Sequence, residues 1–257
     1  MDGSTSPLDE WRQGDLILAP LELPILVLED GEPSIEAIDA RYGAVVVSQS
    51  CDIVRDVNLR PFVQVAPLVP ATPEELARSA RGATPTRIHL HTLAERGLLI
   101  DLEATATVHK DIIATWPRAD GCQDDEERRQ LGLALGRHRH RFAFPNDFNA
   151  AVKPFRTWVE RKWRKNSHQG DLIRATREVR VQCDDWDDAS SVLFLIILEE
   201  HPDATTLREW RAVAGDLEGT LKTGIKDPEV RIVTYDQISA RDYVLSDRLD
   251  WEGLSDA

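Results

Sequence analysis

The chain has 257 residues, of which 42% are hydrophobic and 30% charged, with a formal net charge of −14. That length suits one large domain or two small ones with a sizeable core, and the composition excludes global disorder. The acidic balance excludes a general coat for nucleic acid or anionic membrane, so any phosphate contact must come from a local basic patch. Cys51, Cys122 and Cys183 are odd in number and widely spaced, which fits a reducing compartment and neither a disulfide framework nor a zinc pattern. The most apolar run, Val192 to Leu198, is too short to span a bilayer, and Met1 to Pro7 lacks the regions of a signal peptide. The expectation is a cytoplasmic α+β protein in three regions, 1–115, 116–170 and 171–257.

The first region opens with four short β-branched or aliphatic runs between Gly14 and Pro70, punctuated by Gly, Pro and Asp. Such runs predict a small antiparallel barrel. One of them, Ala44-Val-Val-Val47, delivers Ser48-Gln-Ser-Cys-Asp52 to its end. Thr72, Pro73 and Glu75 mark a helix start. Arg87-Ile-His-Leu-His-Thr-Leu93 alternates with period two, and Leu98-Leu-Ile-Asp-Leu102 predicts a return strand after the turn at Gly97.

The second region reads as helical, with Val152, Phe155, Val159 and Trp163 at helical spacing. From Arg137 to Lys165 it holds nine Lys/Arg against two acids, Asp147 and Glu160, a local excess of seven positive charges. The acidic run Asp124-Asp-Glu-Glu127 lies just ahead and is read as a solvated loop. In the third region, Arg177 to Cys183, Val192 to Leu198 and Val230 to Tyr235 predict strands. Thr206 and Glu209 form a capping-box pattern ahead of the apolar face Leu207, Trp210, Val213, Leu217 and Leu221.

Gly14-Asp15 opening a strand, Val45-Val-Val-Ser48 closing another, and Val63-Gln-Val-Ala-Pro-Leu68 together resemble the layout of MazF/PemK-type toxins. The resemblance covers about a fifth of the chain. It implies an SH3-like barrel that cuts RNA without a metal, in a toxin–antitoxin or defence setting of bacterial type. In that family an Arg between the first two strands and a Ser/Thr at a later strand end carry the reaction. Ser48 takes the second role; Ala19 to Pro24 contains no Arg, so Arg41 or Arg60 would take the first. The alternative is a non-catalytic regulatory or partner-binding protein that kept the barrel and lost the activity.

Metal-free cleavage needs a base for the 2′-hydroxyl, an acid for the leaving oxygen and a cation for the developing charge. Asp52 is the candidate base, Arg41 or Arg60 the cation, and Ser48 and Ser50 the positioning hydroxyls. The competing reading of the same residues is a hydrogen-bonded strand end in which Asp52 caps a turn and Cys51 packs as a small hydrophobe. His89 and His91 fall on one face of the predicted strand, with Asp101 on the return strand, but two ligands are not a zinc site. No metal and no cofactor is expected. Arg137, Arg139, Arg141, Arg161 and Lys162 are candidates for a positive surface facing RNA or an acidic protein partner, and Trp158 and Trp163 for base stacking. A homodimer or an operon-encoded partner stays open.

Overall fold

The computed structural model describes residues 7–82, 84–140, 142–186, 189, 191–222 and 224–249. They divide into two compact units, 1–140 and 141–257. The helical stretch expected over 116–170 is therefore shared between the two units.

The first unit runs β1 (Leu16–Ile17), β2 (Leu21–Glu29), β3 (Glu32–Ala40), β4 (Ala44–Val46), α1 (Ser50–Ile53), β5 (Phe62–Pro70), α2 (Pro73–Ala80), β6 (Arg87–Ile88), α3 (His91–Ala94), β7 (Leu98–Asp101), β8 (Ala106–His109), α4 (Lys110–Ile113), β9 (Arg118–Ala119) and α5 (Asp125–Arg139). The main sheet follows the order β6-β7-β5-β4-β1-β9, with β8 added to β5. β5 is its spine: one edge pairs with β4, and the other pairs in succession with β8 and β7, all antiparallel. The ends of the path, β6 and β9, are not paired with each other among the described residues.

This sheet is buried on both faces. Leu16, Val45, Val47, Ala66, Leu68 and Ile100 join Leu131 and Leu135 of α5 in one cluster, while Ile17, Ala44, Val46, Val63, Val65, Ile53 and Ile113 form the other. Two covered faces explain why the residues from Ala44 to Val47 are continuously apolar instead of alternating. Gly43 lets the chain enter β4, because its φ is +97° and an added Cβ would lie 1.9 Å from Ile17 O.

β2 and β3 form a separate hairpin in continuous register from Leu21↔Ala40 to Glu29↔Glu32. Its two-residue loop is Asp30–Gly31, with φ of 53° and 86°. Two left-handed residues in such a loop give a turn whose twist matches that of the strands.

The expected strand 87–93 is shorter than its alternation predicts. β6 ends at Ile88 and His91 opens α3, so His89 and His91 do not share a strand face. The acidic run at 124–127 is a helix start, not a loop: Asp124 caps α5, its Oδ1 accepting from Glu127 N at 2.8 Å. The Glu127 carboxylate in turn accepts from Gln123 N and His91 N, both at 2.7 Å.

The second unit comprises α6 (Asn146–Trp163), α7 (His168–Ala175), β10 (Thr176–Cys183), β11 (Ser191–Leu198), α8 (Ala204–Leu221), β12 (Asp227–Thr234), α9 (Ala240–Val244) and β13 (Asp247–Leu249). Its sheet has the order β12-β11-β10-β13. β10 pairs antiparallel with β11 and β13, whereas β11 and β12 are parallel, which requires the crossover that α8 provides. Phe148, Val152, Phe155 and Val159 of α6 and Trp210, Val213, Leu217 and Leu221 of α8 cover Val179, Val181, Phe194 and Ile196. α8 starts earlier than its expected capping box: Asp203 is the cap, accepting from Thr205 N and Thr206 N at 2.9 and 2.7 Å.

Candidate functional site

The polar residues after Val47 begin where the doubly buried strand ends. Ser48 Oγ accepts from Gln64 N at 2.8 Å, and Ser50 Oγ accepts from Gln13 N at 3.0 Å. Both hydroxyls thus satisfy backbone donors at the sheet margin. Asp52 is half-buried in α1, with its carboxylate 4.0 Å from the Arg55 guanidinium. Cys51 is exposed, and its Sγ lies 3.6 Å from Gln49 Oε1.

Lys110, unmarked in the sequence, is fully buried and donates from Nζ to Asp52 O at 2.6 Å and Arg55 O at 2.7 Å. Burial lowers its pKa, opposed by the nearby charges of Asp52 and Asp56. It stitches the end of α1 to α4. Asp15 is likewise fully buried, its Oδ2 accepting from Arg12 N at 2.8 Å and Arg118 Nη1 at 2.9 Å. Burial raises its pKa against the pull of Arg118.

The candidate cations are dispersed. Arg41 is ion-paired with Asp39 in the exposed approach to β4. Ser48 lies past the other end of that strand, roughly 13 Å beyond Ala44 at 3.3 Å per residue. Arg60 is exposed ahead of β5 and within electrostatic reach of Lys110, as is Asp52. The expected base and positioning hydroxyls therefore share a strand end, but Arg41 does not join them.

The strand end instead meets the basic run. A cavity of about 220 Å³ is lined by Val47, Gln64, Leu102, Thr105, Leu135, His138 and Arg139. Gln64 is the hinge of this arrangement: its backbone N–H donates to Ser48 Oγ, and its side-chain carbonyl accepts from Arg139 Nη2. Arg137 turns elsewhere and donates to Gly82 O. His138 Nδ1 is a buried atom with no hydrogen-bond partner among the described residues.

Charge distribution along α5 sharpens the contrast. Near its start, Arg128 pairs with Asp125 at 3.0 Å and Arg129 pairs with Glu126. At its end, Arg139 is exposed, and its hydrogen bond goes to a neutral amide. Asp125 and Arg137 stand twelve positions apart, about 18 Å of helix axis, beyond a Debye length of about 8–10 Å. The acidic start therefore does not neutralise the basic end. Part of the basic end's role is local, because cations in a last turn complement the helix dipole.

The other sequence candidates fall elsewhere. Arg161 and Lys162 lie on α6 in the second unit, and Arg141 lies outside the described residues. Lys162 donates to Gln169 Oε1 and sits 5.4 Å over the Trp158 ring; Trp158 and Trp163 pack against the second unit's core. His91 lies 3.6 Å from Glu95, and Asp101 pairs with Arg87 at 3.1 Å. No group of three or more His, Cys, Asp or Glu side chains suited to a metal ion occurs among the described residues.

The second unit has a larger cleft of about 550 Å³ between α8 and β12. Three of its polar members serve the structure: Glu218 Oε1 accepts from Val230 N at 3.0 Å, Gln237 Oε1 accepts from Thr234 N at 3.2 Å, and Arg231 pairs with Glu229; Arg211 also lines it. The sequence signal missed in the first unit was Gln64, one polar residue inside the buried run Val63-Gln-Val-Ala66. No protein-family model, curated protein or solved structure matches the chain. No helix among the described residues is long and apolar enough to cross a membrane.

Proposed function

We propose that the first unit binds RNA, gripping a phosphate at the Gln64–Thr105–His138–Arg139 cavity, and that it binds without cutting. The observation that carries this reading is Arg139, whose charge is held in place by a neutral amide at the mouth of a polar cavity on an otherwise acidic chain. A guanidinium anchored without a carboxylate keeps its attraction for phosphate. At about 220 Å³ the space is below the 300–1,000 Å³ usual for drug-sized ligands, which suits a phosphate group and not a whole folded ligand.

The case against cleavage is geometric. Ser48 and Ser50 are engaged by backbone donors, Asp52 faces Arg55, and Arg41 belongs to Asp39. These partners support the strand-end reading of the cluster. The resemblance to PemK-type barrels then implies a regulatory or partner role in a bacterial toxin–antitoxin or defence system, with the cleft retained for recognition.

The test is fluorescence anisotropy of labelled single-stranded RNA at 50 and 200 mM salt, beside incubation of the same RNA in EDTA. Expected are salt-dependent binding, a loss on the order of tenfold in Arg139→Glu, no change in Asp52→Ala, and intact RNA. Cleavage abolished by Asp52→Ala would restore the catalytic reading; affinity indifferent to salt and to Arg139→Glu would remove the RNA reading.

A further inference from the structure

The β2–β3 hairpin exposes large aliphatic side chains that its own unit does not use. Leu26, Leu28 and Ile35 are 73%, 76% and 77% exposed. Register places them together: Pro24↔Ala37, Leu26↔Ile35 and Leu28↔Pro33 are successive pairs on one face. The opposite face carries Leu23 and Ile38 into the unit's core. A contiguous apolar strip at this exposure marks an interaction surface, in contrast to scattered single apolar residues.

Two further features select the occupant. Residues 21–40 contain six acids, Glu22, Glu29, Asp30, Glu32, Glu36 and Asp39, and no Lys or Arg; Asp39 is paired with Arg41 just beyond, and the other five remain for the rim. Like charge opposes a second copy of this chain, nucleic acid and an anionic lipid surface alike. The outer edges are also blunted. The residues flanking a two-residue loop form a hydrogen-bonded pair, so the pairs holding Pro24 and Pro33 are the alternate kind, whose N–H positions face outward. Proline there has no N–H to offer, which disfavours strand addition at either edge. The open route is onto the face.

We infer that this face docks a basic, amphipathic segment of another protein, its apolar side chains covering Leu26, Leu28 and Ile35 and its Lys/Arg residues meeting the acidic rim. The site is separate from the cavity proposed for RNA, so either can fail without the other.

The probe is a fluorescein-labelled eight-residue peptide alternating Lys and Val, compared with a Glu/Val counterpart and a Lys/Ser counterpart, read by anisotropy on the full chain. Expected is preference for the Lys/Val peptide of at least tenfold over both, weakened by salt and lost in Leu26→Thr/Leu28→Thr/Ile35→Thr. Threonine keeps the strand tendency, and unchanged thermal unfolding of the variant shows that folding is intact. Equal binding of the Glu/Val peptide, or a Lys/Val affinity indifferent to the triple substitution, overturns the inference. A dimer by light scattering that the triple substitution dissolves also overturns it, because the occupant is then a second copy.

Discussion

The second unit buries a charge cluster, whereas the first leaves a charge exposed at the end of a helix. In the second unit, Glu178 on β10 is 2% exposed, with Arg248 at 3.4 Å, Arg180 at 3.6 Å and Tyr235 Oη at 3.5 Å. Arg180 is itself held by Ser246 and stacks 4.1 Å over the Tyr243 ring. Burial and the Glu178 charge push the Tyr235 hydroxyl up to about 12. In the first unit, Arg139 bonds a neutral amide, and the His138 ring nitrogen lacks a partner among the described residues, beside open space. A saturated charge cluster ties strands together; one left partly unsatisfied at a cavity is available to a ligand.

The largest effect is expected of Glu178→Ala. It leaves Arg180 and Arg248 without their buried carboxylate and should cost about 3 kcal/mol, near the low end for a broken buried pair because Arg248 is partly exposed. Urea unfolding should register the loss while RNA affinity stays unchanged. Arg139→Glu should do the reverse. If Glu178→Ala leaves stability intact, the cluster is not the structural device described.

Next in size is Lys110→Ala, which strips two carbonyls of their donor and opens a buried space, at about 2 kcal/mol. Lys110→Met should lose less, since it fills the volume and removes a buried charge. Equal losses in the two would show that the two hydrogen bonds matter and that filling the volume does not. Ser48→Ala should cost about 1 kcal/mol by leaving Gln64 N without its acceptor. It should also weaken RNA binding slightly by loosening Gln64, a coupling that a double substitution with Arg139→Glu can measure.

The smallest expected effect is on pH dependence. Burial raises the Asp15 pKa in the folded state, so the folded chain holds that proton more tightly than the unfolded chain. The destabilising contribution is therefore complete above the folded pKa and is relieved as pH falls through it toward the unfolded value of about 3.9. Asp15→Asn should flatten this part of the stability profile, read from denaturant midpoints between pH 3 and 7. A profile unchanged by that substitution means the burial cost is fully offset by Arg118 and Arg12.

Much of the fold is written in local pattern. The short runs of the first unit, the apolar faces of α6 and α8, the capping box at Thr72, and β10, β11 and β12 follow from turn chemistry and periodicity that neighbouring residues carry. The runs between Gly14 and Pro70 are read only as punctuated by Gly, Pro and Asp, although the Asp30–Gly31 pair between apolar strands is itself a hairpin signal. The basic run at 137–139 and the polar strand end at 48–52 were visible as separate motifs.

What joins them was not. Gln64 meets Arg139 across 75 residues, Lys110 reaches Asp52 across 58, and Arg248 meets Glu178 from the far side of β10. Such contacts depend on which strands become neighbours and which helix covers the sheet, a choice settled by burying two apolar faces at once. Local sequence sets which side chains share an element, and only long-range packing decides whether a charge ends beside a carboxylate or beside a cavity.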